Sequence, residues 1–86
     1  MIIFKLIQTP EDLLKESTTW ANEKELAIDI ECENNLHHYG SYISIIQISS
    51  RTRNWIVDVL AIKDLTPLLS TFNNQSILKT FHDIGF

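Results

Sequence analysis

Leu26-Ala27-Ile28-Asp29-Ile30-Glu31 is the stretch on which the reading of this chain turns: an apolar run closed by two carboxylates one isoleucine apart. Read as a strand, it alternates its side chains, so Leu26, Ile28 and Ile30 take one face while Ala27, Asp29 and Glu31 take the other. Two residues of strand cover about 6.5 to 7 Å. Carboxylates at that spacing suit a pair of divalent cations roughly 3.5 to 4 Å apart. The run is apolar on both faces until its end, which predicts a strand covered on both sides.

Upstream, residues 2 to 8 are rich in β-branched and aromatic side chains and predict a strand. Thr9-Pro10-Glu11-Asp12 then opens a helix with a capping hydroxyl, a proline in the first turn and acids near the positive end, running to about Asn22. Downstream, residues 32 to 41 are polar and rich in turn formers, which predicts a loop. Strands follow at 42 to 49 and 54 to 59, joined by the tight connection Ser50-Arg51-Thr52-Arg53. Asp64 can cap a helix of about 65 to 72, whose Leu65, Leu68, Leu69 and Phe72 recur at helical spacing. A last short strand covers 77 to 81.

The predicted order is β-α-β-β-β-α-β, an α/β chain. Strands 25 to 31, 42 to 49 and 54 to 59 form an antiparallel meander, and a helical crossover leads to a final strand parallel to the first of these. If those two strands are neighbours, His82 and Asp83 emerge beside Asp29 and Glu31, at the strand ends where open α/β sheets gather ligands.

Composition narrows the function. Eighty-six residues with 44% hydrophobic content make one domain with a modest core. Seven basic against eleven acidic residues, a formal charge of -4, argue against binding nucleic acid through a broad basic surface. They leave room for an enzyme that meets phosphates through bound cations. Cys32 is the only cysteine, so no intrachain disulfide can form, and a reducing compartment is expected, with the cytoplasm as the default location. No run approaches the ~18 apolar residues of a membrane span, and the apolar start lacks the marks of a secretory signal. No membrane association is expected.

Several single residues have two readings. Cys32, His37, His38 and His82 lack the paired short spacings of a closed zinc site. His37, His38 and Tyr39 either line a substrate loop or cap the sheet edge. His82 either braces loop backbone or faces substrate, and Asp83 is best read as the cap of a following helix. Gln47 reads as a satisfied polar group within a buried strand, Asp58 as the organiser of the next turn, and Trp20 and Trp55 as core. Arg51 and Arg53 form a turn pair within reach of phosphate.

Taken in order, Asp29-x-Glu31, Leu36-His37-His38-Tyr39, Ile46-Gln47-Ile48-Ser49, Ile56-Val57-Asp58 and Lys79-Thr80-Phe81-His82 resemble the ribonuclease D family of the DEDD superfamily of 3'-5' exonucleases. The resemblance spans essentially the whole chain. It implies an RNase H-like mixed sheet, with Asp29 and Glu31 as the first exonuclease motif and Ile30, His37, His38, Tyr39 and His82 close to substrate. It also implies two Mg2+ or Mn2+ ions held by four acids, one ion activating a water for in-line attack on the terminal phosphodiester of an RNA 3' end.

In the family's register the second-motif aspartate falls one position beyond Phe86, and the third motif further on. The chain is therefore expected to be the N-terminal part of an exonuclease domain, an incomplete sheet without the C-terminal strand and helices, inactive alone. Completion by the missing C-terminal part would restore the centre. The alternative is a non-catalytic module that survives by homo-oligomerisation or by pairing with another protein. A nucleic-acid binder without cleavage is a third option, disfavoured by charge.

Overall fold

The structure is a computed structural model, and it describes residues 3–34 and 41–83. In chain order the elements are β1 (Phe4–Ile7), α1 (Pro10–Trp20), β2 (Glu25–Asn34), β3 (Ser41–Ser49), β4 (Asn54–Asp58), a 3-10 turn (Val59–Ala61), α2 (Thr66–Phe72) and β5 (Leu78–Asp83). The strands form one mixed sheet in the order β1-β4-β3-β2-β5. β2, β3 and β4 are the antiparallel meander. β5 returns parallel to β2, as the path of the chain requires, and β1 closes the far edge parallel to β4.

Local chemistry fixes the helix starts. Thr9 Oγ1 accepts from the Asp12 amide at 3.1 Å, and Pro10 occupies a position whose N–H would have no helical partner anyway. Asp64 Oδ1 accepts from both the amide and the hydroxyl of Thr66, which sets the start of α2 one residue later than expected. Asp58 Oδ1 accepts from the Ala61 amide and closes the 3-10 turn. The Ser50 amide donates to the Arg53 carbonyl, and the Ser50 hydroxyl accepts from the Thr52 and Arg53 amides, so that a serine makes the tight β3–β4 connection without glycine.

Both helices lie on one face of the sheet. Along the register, Trp55, Ile48, Ile28 and Phe81 form a row across β4, β3, β2 and β5. Trp20 of α1 meets Trp55 edge to face at 5.7 Å, and Phe72 of α2 meets Phe81 at 5.3 Å. Ile7, Leu13, Leu26, Ile46, Val57, Ile62, Leu68 and Ile77 complete the buried core.

Four expectations are corrected. Among the described residues β2 is covered on one side only, for Ala27 on the other is exposed, as are Leu78 on the adjoining β5 and Leu6 on β1 at the far edge. The meander's first hairpin is longer than read: Cys32, Glu33 and Asn34 pair with Ile43, Tyr42 and Ser41, because the ladder's backbone bonds outweigh the polar composition that suggested a loop there. Gln47 is half-buried and stands on the open face, in register with Asp29. Leu69 is 55% exposed despite its helical spacing, since Leu68 alone of that pair reaches the sheet.

Candidate functional site

The sheet's open face carries the two acids. Asp29 lies in a row that crosses all five strands: Leu6, Ile56, Gln47, Asp29 and His82. Glu31, two residues on, takes the same face and is in register with Ile45, which pairs in turn with Asp58. Both acids are half-buried, so they are open to solvent and solute. A β-bulge follows at once: the partner of Glu31 is Ile45, that of Cys32 is Ile43, and Ser44 is the extra residue. Ser44 is buried, with its hydroxyl 3.5 Å from the Glu31 carbonyl. Such bulges re-aim the side chains beside them and shift the register of a ladder, which here happens directly after the second acid.

The expected meeting of β2 and β5 is present. His82 Nδ1 stands 3.6 Å from Asp29 Oδ1, with the two side chains 70% and 43% exposed. That separation exceeds a hydrogen bond and brings the groups together as an ion pair only when the imidazole is protonated. Asp83 pairs its backbone with Ile30. Ile30 itself packs against the core, on the face opposite the acids. His37, His38 and Tyr39 lie outside the described residues.

Asp29 and Glu31 offer oxygen ligands alone, a donor set that fits Mg2+ or Mn2+. Among the described residues no cluster of three or more His, Cys, Asp or Glu side chains gathers to hold a metal. Among the described residues no helix is long and apolar enough to cross a membrane.

Sequence reading misplaced one residue and missed another. Gln47 stands in register beside Asp29, and only the register reveals it, since Ile46 and Ile48 around it gave no sign of which face they took. Glu16, on α1, is 5% exposed and anchors the core on the far side of the sheet. Its Oε1 accepts from Trp55 Nε1 at 2.9 Å and its Oε2 from Lys5 Nζ at 3.1 Å. Burial pushes its carboxyl upward, but those two hydrogen bonds and the charges of Lys5 and Lys15 outweigh burial and hold it below the ordinary value.

A mixed five-stranded sheet with two helices on one face and an Asp-x-Glu pair on the other face, carried by β2, defines the class: an α/β fold of exonuclease-core type. Solved structures agree. E. coli RNase D, described as an exoribonuclease involved in structured RNA processing, superposes with a TM-score of 0.86 at 23% identity over 94% of this chain and 21% of that one. The catalytic core of RRP6 from Trypanosoma brucei gives 0.86 at 30% identity over 95% and 23%. Exosome complex exonuclease RRP6 of Saccharomyces cerevisiae is 39% identical over 62 residues, 71% of this chain and 8% of that protein. The chain thus spans less than a tenth of that curated relative. The 3'-5' exonuclease family model matches residues 4–86. The chain belongs to the 3'-5' exonuclease family, in its RNase D- and RRP6-like branch.

Proposed function

We propose that this chain supplies the first acidic pair of a two-metal exoribonuclease centre that trims RNA from its 3' end. The observation that carries the reading is the placement of Asp29 and Glu31 together on the open face of β2, with His82 of the parallel neighbour β5 beside Asp29. Asp29 and Glu31 would hold Mg2+ or Mn2+, and His82, with His37, His38 and Tyr39 of the β2–β3 connection, would contact the substrate. Divalent ions bound there would supply an activated water and charge stabilisation for the attacking and leaving oxygens. Two acids are half of a four-acid set, so the remaining ligands come from polypeptide outside these 86 residues. With this pair alone the chain binds metal weakly and does not cleave.

The test uses a longer form carrying the further acids and a single-stranded RNA labelled at its 5' end. Stepwise shortening in magnesium is expected, and Asp29→Ala is expected to slow it by about 100-fold or more, the scale of losing one charge-stabilising group at a reaction centre. Undiminished trimming by the alanine variant overturns the assignment.

A second reading, a non-catalytic module that pairs with a further copy, is favoured by the exposed apolar side chains of Leu6 and Leu78 and by the position of β5 at the sheet edge. A folded monomer in size-exclusion chromatography at high concentration removes it.

A further inference from the structure

The chain is acidic, yet three of its seven basic residues converge on one cleft. It lies on the helix-covered side of the sheet, where α1 crosses the starts of β1 and β4. Lys5, Lys15, Thr19, Thr52 and Arg53 line it, with Glu16 and Trp55 at its base, around a volume of about 460 Å³. The acids of the open face are on the other side of the sheet.

The charges here do not cancel. Glu16 has both oxygens engaged, one by Trp55 and one by Lys5, and is almost wholly buried, so its single negative charge is answered by Lys5. Lys15 and Arg53 then stand as two positive charges with no acidic partner within ion-pair distance among the described residues. The two arginines of the β3–β4 turn are thereby distinguished: Arg51 is bound to Glu25 at 2.8 Å, whereas Arg53 faces the cleft. Its backbone is fixed by the Ser50 hydroxyl, which accepts from its amide at 3.1 Å, so the guanidinium springs from an ordered turn. The hydroxyls of Thr19 and Thr52 add neutral donors.

We infer that this cleft is a binding site for a phosphate group, held by the Arg53 guanidinium, the Lys15 ammonium and the two threonine hydroxyls. Guanidinium and ammonium donors to phosphate make short, charge-assisted bonds, and the planar Arg fork matches two phosphate oxygens at once. The phosphate is either a free phosphate monoester or a backbone phosphodiester of RNA. The site does not depend on the nuclease reading, since it shares no residue with the acidic pair.

The experiment titrates the 15N-labelled chain with inorganic phosphate at constant ionic strength and follows its amide resonances. Saturable shifts confined to Thr19, Thr52, Arg53 and their neighbours are expected. Arg53→Gln is expected to weaken the association about tenfold, the worth of one charge-assisted bond, whereas Arg51→Gln leaves it unchanged. Absence of saturable shifts at the cleft, or equal weakening by the two arginine variants, overturns the inference. A short oligouridylate with unphosphorylated ends, added in place of phosphate, separates the sources: the same resonances move if the cleft holds RNA backbone, and stay still if it takes only free phosphate. Asp29→Ala leaves the phosphate titration of the cleft resonances unaltered, which keeps this result apart from any failure of the nuclease assay.

Discussion

Replacing Glu16 with alanine tests the core directly. The side chain is 5% exposed and accepts two hydrogen bonds, from Trp55 Nε1 at 2.9 Å and Lys5 Nζ at 3.1 Å. Losing it strands the Trp55 indole N–H, and the core already holds one such group, since Trp20 Nε1 is buried without a partner. A hydrogen bond to a charged acceptor contributes about 1.5 to 3 kcal/mol. The Lys5 ion pair adds little, because the lysine is 45% exposed and solvent screens it to about 0 to 1 kcal/mol. Glu16→Ala is therefore expected to cost about 3 kcal/mol, lowering Tm by more than about 10 °C for a domain of this size. Lys5→Met should cost under about 1 kcal/mol. Glu16→Gln, which keeps an acceptor for Trp55, should fall between. The assay is urea unfolding followed by tryptophan fluorescence. Equal losses for Glu16→Ala and Lys5→Met would refute the assignment of the stabilisation to the buried Trp55 bond. Acidity supplies a second check. The Glu16 carboxyl is depressed below 4.5 in the fold, so its contribution is complete above that value and disappears as pH falls through the lower, folded one. Asp64, also held low by Thr66, titrates in the same sense in both proteins, so the wild-type minus Glu16→Gln difference isolates Glu16.

Thr9→Ala removes the cap that holds the Asp12 amide and should cost about 1 kcal/mol in the same unfolding assay, with no change in denaturant slope. Asp29→Ala and Glu31→Ala, on the open face and half-exposed, should each shift stability by less than about 0.5 kcal/mol, so a loss of activity in the longer form reports on chemistry. A loss above about 2 kcal/mol would reassign them to structure.

What sequence alone revealed here is local. Thr9 before Pro10, Asp58 before its 3-10 turn, Asp64 before α2 and Ser50 in the β3–β4 connection all act within three residues of themselves, and their roles follow from side-chain type and position. The direction of β5 followed from counting reversals. The pairing of β1 with β4, about fifty positions apart, has no local signal, and the face that Gln47 takes depends on that kind of register. Leu69 shows the limit of periodicity: a helix of seven residues meets the sheet through too narrow a stripe to bury every apolar position at the right spacing. Glu16 is one more acid on an amphipathic helix until Trp55 and Lys5 are brought to it by the sheet.

The open face differs from an ordinary solvated one in its company. A sheet face that only meets water is populated by polar side chains alternating with the buried set. Here Asp29 stands in a row with Leu6 and Ile56 and one row from Ala27, while Leu78 is 66% exposed on the same side. Apolar neighbours lower the local polarisability, and a cation between carboxylates is held more strongly where less water competes. The same side chains make covering of the face favourable, because burial of apolar area contributes roughly 25 cal/mol per Å². In the proposed centre, covering this face would therefore both stabilise the sheet and strengthen the grip of Asp29 and Glu31 on a divalent ion. Stability and metal affinity would then be coupled through one surface, even where alanine at either acid leaves the fold nearly unchanged.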